Sequence, residues 1–179
     1  MILAPPRPAP DPRRSGITAG YRLSGNGRVN PPGAARRPGP YAGAVHVSLV
    51  ALVVDEYDPA IEFFTGVLGF DLVEDSPAET NDGRQKRWVV VRPPGAETGL
   101  LLARADGDQQ VAAVGAQAAG RVGFFLRVDD FDATEARLRA AGVRFVKEPR
   151  SEPYGRVAVF ADIAGNLWDL LGPVPDQKS

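Results

Sequence analysis

The sequence predicts an α+β fold built from two β-α-β-β-β modules, because one pattern occurs twice along the chain. Residues 47–70 begin with an apolar strand, continue through an acidic turn into a short amphipathic helix, and end at a glycine; residues 121–145 repeat this order. A shift of 74 positions places Val54 on Val128 and Glu56 on Asp130. Since an internal repeat of this kind determines the architecture, we expect any binding site to lie between the two modules.

Length, cysteine content and charge narrow the function classes. The chain has 179 residues and no cysteine, which predicts one domain without disulfides, thiolate nucleophiles or cysteine-based zinc sites. Residues 45–179 hold 14 Lys and Arg against 21 Asp and Glu, a net charge of −7. Because phosphate binding requires a basic face, we expect no nucleic-acid partner. No apolar run approaches the roughly 20 residues of a membrane span, so no membrane partner is expected and a cytoplasmic location is the default.

Residues 1–44 are predicted to form a disordered extension. They hold nine Pro, seven Gly and seven Arg against one Asp, a net charge of +6, and they show no helical or strand periodicity. A basic tail that contacts an acidic partner and a transit-like leader are the functional alternatives to an inert segment. Because Met1 is the only methionine and the fold-like sequence begins abruptly, a further interpretation is a mis-assigned start, with the native chain beginning at Val45 from a non-standard codon.

The elements of the first module, residues 45–104, follow from local patterns. Residues 47–54 are almost all apolar, which predicts a buried strand. Asp58 is predicted to cap the following helix, with Pro59 at its first position, and Gly69 is predicted to end it. Residues 70–74, 87–92 and 100–104 are predicted as strands, and residues 75–86 as a loop or an open hairpin.

The second module, residues 121–173, repeats this order after a weakly helical connector at residues 105–120. Asp132 is predicted to cap its helix, and Gly142 to end it. Its strands are predicted at residues 122–128, 143–147, 156–161 and 167–171. Residues 174–179 are predicted to be a frayed tail.

Two segments carry a resemblance to a known family. Residues 58–70, DPAIEFFTGVLGF, and residues 162–171, DIAGNLWDLL, resemble the helix and the terminal strand of the vicinal oxygen chelate superfamily, which includes glyoxalase, bleomycin resistance proteins and extradiol dioxygenases. The resemblance covers residues 45–173. It implies a curled mixed sheet around a cup-shaped pocket that holds a small molecule, and a homodimer in which the cups are completed across chains.

The resemblance also identifies the positions that bind metal in metal-using members. In this sequence they are Leu49, Leu101, Gly123 and Asp169. Leucine and glycine offer no side-chain donor, and one carboxylate does not hold a catalytic ion against water. We therefore expect no metal cofactor at these positions.

Strand alternation predicts the other residues of the cup-facing surface. With the four positions above, the set is Leu49, Ala51, Val53, Leu101, Ala103, Gly123, Phe125, Arg127, Asp169 and Leu171. A mostly apolar surface with few polar groups is typical of a small-ligand site. Arg127 would bind a ligand carboxylate or phosphate; the alternative is that it pairs with a local acid or reaches solvent. Asp169 would act as a general base with a raised pKa; the alternative is a vestige of the metal set, hydrogen-bonded to the neighbouring turn.

Aromatic residues and the single histidine complete the candidates. Trp88 is predicted to line the pocket and Tyr154 to cover its mouth, with plain packing as the alternative for both. Trp168 is expected on the face opposite Asp169, against a helix or a partner subunit. His46 precedes Leu49 by three residues, so alternation turns it away from the pocket, and we expect a surface residue at the start of the strand.

These observations favour a non-catalytic protein that binds or sequesters a small apolar or aromatic ligand, similar to bleomycin resistance proteins. One alternative is an enzyme of the lyase, isomerase or dioxygenase type. It would hold a metal through other ligands, or work without metal through Asp169 and Arg127. A second alternative is a structural or regulatory module whose pocket is filled by its own side chains.

Overall fold

The computed structural model describes residues 45–174 of a chain that divides into two units, residues 1–44 and 45–179. The predictions for residues 1–44, including the disordered extension and its role, lie outside the described residues, as does the tail beyond Val174. The elements of the first module are β1 (Leu49–Val54), α1 (Tyr57–Glu62), a π-helical turn (Phe63–Val67), β2 (Asp71–Glu79), β3 (Gln85–Arg92) and β4 (Gly99–Arg104). After α2 (Asp108–Val111), the second module has β5 (Val122–Arg127), α3 (Phe131–Ala140), β6 (Phe145–Glu152), β7 (Gly155–Ala161) and β8 (Leu167–Leu171).

Each module forms its own four-stranded mixed sheet with the same topology. The strand order is β1-β4-β3-β2 in the first sheet and β5-β8-β7-β6 in the second. In each sheet the first and last strands of the module pair in parallel, and the other neighbours pair antiparallel. The predicted α+β fold of two β-α-β-β-β modules is confirmed.

The helix starts differ from the prediction by two residues in both modules. Glu56 and Asp130 occupy the N-cap positions, and the Asp130 carboxylate accepts a hydrogen bond from the Ala133 amide at 2.9 Å. Asp58 and Asp132, the predicted caps, lie inside the first turn. The helix ends agree with the prediction, since Gly69 and Gly142 both adopt φ +76°, a conformation that glycine adopts without strain.

An arginine on the third strand of each module binds the aspartate that was predicted as the cap. Arg87 of β3 pairs with Asp58 at 2.6 Å, and its guanidinium lies 5.2 Å from the ring centre of Tyr57. Arg156 of β7 pairs with Asp132, and its guanidinium lies over the Phe131 ring at 4.4 Å. Each helix start is thus held to its sheet by an ion pair and a cation–π contact, which orient the helix without the predicted cap.

The outer strands are longer than predicted. Residues 75–86 form an open hairpin rather than a loop, because β2 continues to Glu79 and β3 begins at Gln85. β6 likewise continues to Glu152 instead of ending near residue 147. β2 and β6 each lie at the edge of a sheet, where side chains remain in water. Their extra residues are therefore polar, and the apolar pattern of the sequence did not predict them as strand.

One hydrophobic core spans both modules on the helix side of the sheets. Phe64 is fully buried, and its ring centre lies 5.7 Å from that of Phe70 and 6.0 Å from that of Trp168. Phe124 stacks on Trp168 at 4.4 Å. Because Phe64 and Trp168 come from different modules, the two modules should unfold together.

Trp168 packs in this core, on the face opposite Asp169, as predicted. Its indole Nε1 donates a hydrogen bond to the Asp162 carboxylate at 2.9 Å. The same carboxylate accepts the backbone amides of Ala164 and Asn166 at 3.0 and 2.9 Å. Asp162 therefore closes the turn between β7 and β8 and fixes Trp168, which sets the side on which Asp169 lies. None of the helices in residues 45–174 is long and apolar enough to cross a membrane.

Candidate functional site

On the face of the first sheet that points away from the core, β1, β4 and the middle of β3 form an apolar strip, next to which Glu74 and Ser76 of β2 pair with Val90 and Trp88. Ala51 pairs with Leu101 and Val53 with Ala103 along the parallel β1–β4 ladder. Val90 of β3 is next to Leu101 in the same row. We define the first open face as Leu49, Ala51, Val53, Trp88, Val90, Leu101 and Ala103. The structure thus brings together the predicted residues from β1 and β4.

Trp88 belongs to the first open face. The sequence alone did not determine on which side of β3 its side chain lies. It precedes Val90 by two residues in β3, so both side chains are on one side of the sheet. The indole is 37% exposed. A partly exposed tryptophan beside small apolar residues offers a flat surface on which an aromatic ring can stack.

The corresponding face of the second sheet combines aromatic, apolar and charged side chains. Phe125 pairs with Asp169 and Arg127 with Leu171 along the β5–β8 ladder. Residues on β5 alternate between half-buried and exposed, and Phe125 is 64% exposed. We define the second open face as Phe125, Arg127, Lys147, Arg150, Glu152, Val157, Val159, Asp169 and Leu171.

Lys147 and Arg150 were not among the predicted site residues. The register of β6 against β7 places Lys147 opposite Val159 and Arg150 opposite Val157, and shifts occur in the pairing on both sides of Lys147. Val159 in turn pairs with Asp169, and Val157 with Leu171. Because these shifts break the simple alternation of β6, periodicity alone could not assign the two cations to this face.

Asp169 is the half-buried carboxylate of the second open face. Burial raises the pKa of its carboxyl group above the ordinary value, and the charges of Arg150 and Lys147 oppose part of that rise. The described residues provide no hydrogen bond from the neighbouring turn to Asp169, because the turn amides bind Asp162 instead. A carboxyl group in such surroundings accepts a proton more readily than one in water.

Arg127 is exposed at the end of β5, one row from Asp169 on the adjacent strand. Strand spacing and rise put their Cα atoms about 8 Å apart. Within residues 45–174, no carboxylate comes within 4.0 Å of its guanidinium. Arg127 is therefore an exposed cation on the same sheet face as Phe125, without a carboxylate partner in the described residues.

Gly123 lies against the connector. A Cβ at this position would lie 3.0 Å from the Cβ of Ala118. The neighbouring Gln117 binds the free edge of β1: its amide oxygen accepts from the Val53 amide at 3.0 Å, and its amide nitrogen donates to the Ala51 carbonyl at 2.7 Å. The connector thus contacts the edge strands of both sheets, although the sequence indicated only a weak helix.

Tyr154 and His46 are exposed residues outside the strands that form the two open faces. Tyr154 is in the tight turn that joins β6 to β7, with 56% of its surface exposed. His46 precedes β1 and is exposed, in agreement with the predicted surface position. The proposed role of Tyr154 as a cover for the pocket remains a prediction.

A cleft of about 590 Å³ lies elsewhere, where the first helix meets the sheet. Its lining residues are Glu56, Tyr57, Asp58, Pro59, Gln85, Lys86, Arg87 and Arg104. Arg87 is already bound to Asp58 and to Asp75, at 2.6 and 2.5 Å, and these partners raise its pKa. None of the predicted ligand-binding residues lines this cleft, and its main cation serves the helix anchor, so we assign the candidate site to the open faces.

The family positions for metal do not fit a metal ion in this chain. Leu49, Leu101 and Gly123 carry no donor atom, and Asp169 contributes a single carboxylate. Among residues 45–174, no group of three or more His, Asp or Glu side chains could hold a metal ion. We derive no chemistry through a metal.

Comparison with known proteins agrees with this architecture. The sequence model of the Glyoxalase/Bleomycin resistance protein/Dioxygenase superfamily matches residues 44–170. An uncharacterized protein of Shewanella frigidimarina (strain NCIMB 400) is 50% identical over 123 residues, which are 68% of this chain and 89% of that protein.

Solved structures extend the similarity. TnmS3, described as an antibiotic binding protein from Streptomyces sp. CB03234, has a TM-score of 0.57 and 33% identity, over 74% of this chain and 99% of that chain. A glyoxalase/bleomycin resistance protein from the same Streptomyces strain has a TM-score of 0.53 and 32% identity, over 70% of this chain and 99% of that chain.

Proposed function

Because the chain belongs to the glyoxalase/bleomycin resistance protein/dioxygenase superfamily, we propose that it binds a small apolar or aromatic molecule on its two open faces. The observation that carries the proposal is the exposure of Phe125 and Trp88, two large aromatic side chains on sheet faces that point away from the core. Exposing such side chains to water is unfavourable, and a flat aromatic ligand would cover them. The resemblance to an antibiotic binding protein supports the same class of function.

The character of the two faces supports a ligand with an apolar body. The first open face, as defined on β1, β3 and β4, contains only Leu, Ala, Val and Trp side chains and is bordered by Glu74 and Ser76 of β2, and the second adds Phe125 and Leu171 beside its charges. Apolar walls with a few directed polar groups are typical of small-molecule sites. The apolar area of such a surface favours a ligand with a ring system, and its charged groups determine which substituents that ligand can carry.

We also propose that two copies associate, so that each ligand is enclosed. Phe125 and Trp88 are exposed in a single chain, whereas Val90, Val157 and Val159 on the same two faces are buried, and sheet faces that expose large aromatic side chains are suitable surfaces for a second copy. Size-exclusion chromatography with light scattering would give the mass of the assembly, and a monomer at all concentrations would contradict the association.

A cytoplasmic location stays a prediction, for which cell fractionation is the test.

A ligand-binding experiment tests the proposal directly. A panel of aromatic small molecules is screened by thermal shift, because a ligand that binds only the native state stabilises it by about 2.7 kcal/mol at a concentration of 100 Kd. For a domain of this size that corresponds to a rise in Tm of roughly 10 °C. Phe125→Ala should weaken binding of any hit at least tenfold. Val111→Ala, which truncates an exposed apolar residue on α2, is the matched control and should leave binding unchanged.

Two results would contradict binding on the open faces. The first is a panel in which no compound raises the Tm, which would favour a module whose faces serve only its own architecture. The second is a hit whose affinity is the same for Phe125→Ala and the wild type, which would place the ligand elsewhere.

Metal-free catalysis is a second candidate, favoured by the raised pKa of Asp169. In that case Asp169 would remove a proton from the bound molecule, and Arg127 would stabilise the negative charge that develops. Mass spectrometry of a hit after prolonged incubation separates the candidates. Recovery of the unchanged compound indicates binding alone, whereas conversion that Asp169→Asn abolishes indicates catalysis.

A further inference from the structure

The charges of the second open face are distributed in a way that points to the chemistry of the ligand. Two rows of paired residues cross the sheet from β5 to β6. One row contains Phe125, Asp169, Val159 and Lys147, and the next contains Arg127, Leu171, Val157 and Arg150. Three strand spacings of about 4.8 Å make each row about 14 Å long, which is sufficient for two or three fused rings.

Most of the arginines in the described residues already have carboxylate partners. On the second open face, Arg150 donates to Glu152 at 2.8 Å. On the helix side, Arg87, Arg139 and Arg156 each contact two carboxylates. Arg127 and Lys147 are the cations of the second open face that have no carboxylate within 4.0 Å in the part of the chain that the structure describes; elsewhere in that part, Arg92, Arg121, Arg137 and Arg144 have none either.

Asp169 forms no ion pair with Arg127 in the described residues. Lys147 and Arg150 lie on the β6 side of Asp169, and their charges act on its carboxyl group. Arg127 is on the opposite side, on β5, next to the apolar Leu171. The β5 end of the face therefore has one unpaired guanidinium beside apolar side chains, whereas the β6 end has cations that share the field of Asp169 and Glu152.

We propose that the ligand is an aromatic acid, whose carboxylate or sulfonate binds Arg127 while its rings lie across Phe125 and Leu171. This inference rests on the proposed binding function and adds the charge of the ligand. The planar guanidinium fork matches the two oxygens of such an anion. An aromatic cation is disfavoured, because the second open face carries three cations, Arg127, Lys147 and Arg150, against two carboxylates, Glu152 and Asp169, and its net charge is positive.

A pair of fluorescent probes tests the charge preference. The anionic probe 8-anilinonaphthalene-1-sulfonate and the neutral probe N-phenyl-1-naphthylamine share the same ring system and differ in the sulfonate. We expect the sulfonate probe to bind at least tenfold more tightly. Arg127→Gln should reduce its affinity about tenfold and change that of the neutral probe by less than twofold. Arg84→Gln, the same change of charge in the β2–β3 turn, is the matched control and should alter neither.

The outcomes separate this inference from the binding function. Failure of both probes to bind the wild type would contradict both proposals. Equal affinities for the two probes, unchanged in Arg127→Gln, would overturn the anionic preference and leave the binding function intact. The salt dependence of the wild type gives a readout without any variant: the affinity for the sulfonate probe should fall between 50 mM and 500 mM salt, and that for the neutral probe should not. A circular dichroism melt of Arg127→Gln establishes that the variant is folded.

Discussion

The substitution of Phe64 tests whether the two modules share one core. Phe64 has no exposed surface, and its ring contacts Phe70 in its own module and Trp168 in the other. Truncation of a fully buried Phe to Ala removes its transfer free energy and leaves a cavity, at a cost of about 3–5 kcal/mol. Because a domain of this size has a free energy of unfolding of about 5–15 kcal/mol, Phe64→Ala should remove a large part of it. Phe64→Leu, which fills most of the cavity, should cost about 1–2 kcal/mol.

Urea unfolding measures this loss with one reporter in the second module and one for the whole chain. Trp88 lies in the first module and Trp168 in the second, so the Trp88→Phe background isolates the fluorescence of Trp168, and far-UV circular dichroism follows the whole chain. Phe64→Leu should shift both transitions by the same free energy. Phe125→Ala is the matched control, because this phenylalanine is 64% exposed; it should change the stability by no more than about 0.5 kcal/mol.

Two results would refute the reasoning. If the Trp168 transition stays in place while the circular dichroism curve separates into two steps, the modules have independent cores. If Phe125→Ala destabilises the chain as much as Phe64→Ala does, the second open face is itself a buried core, and the ligand-binding proposal loses its main support.

Three further predictions concern turns, a buried carboxylate and pH. Gly66→Ala should stabilise the chain by about 0.4–1 kcal/mol, since a Cβ at this position meets no atom within 4 Å. Gly69→Ala should cost about 1–2 kcal/mol, because Gly69 has a φ of +76°. Equal melting temperatures of the two variants would contradict this prediction. Asp162→Ala should lower the free energy of unfolding by about 3 kcal/mol in urea titrations, because it leaves the Trp168 indole N–H and two backbone amides without their acceptor. An unchanged near-UV circular dichroism spectrum would contradict the role of Asp162 in holding Trp168. The folded pKa of Asp169 is raised above 3.8, so its ionisation lowers stability as pH rises through the window between the unfolded and folded values. The melting temperature of Asp169→Asn relative to wild type should therefore increase from pH 3 to pH 7, and a constant difference would contradict the raised pKa.

The sequence determined the architecture and the faces of β5 and β8. The pattern that recurs after 74 positions predicted two equivalent modules. The glycines at 69 and 142 predicted both helix ends, because each helix ends where the backbone adopts a positive φ, which glycine adopts without strain. Alternation along β5 and β8 predicted that Phe125 and Asp169 share one face and that Trp168 occupies the other. These are local properties, in which each residue is constrained by its neighbours in the chain.

Other features depend on contacts between distant segments, and only the tertiary structure decided them. Asp58 is a residue type that is common at helix caps, but in the structure it pairs with Arg87, 29 residues away, and Glu56 occupies the cap position. Lys147 reaches the second open face because the pairing of β6 shifts against β7, and Gln117 binds the edge of β1 across more than 60 residues of sequence. The type of residue limits what a side chain can bind, but its partner is decided by which segments the fold brings within hydrogen-bonding distance. The charge pattern around Asp169 and Arg127 is therefore a property of the folded sheet.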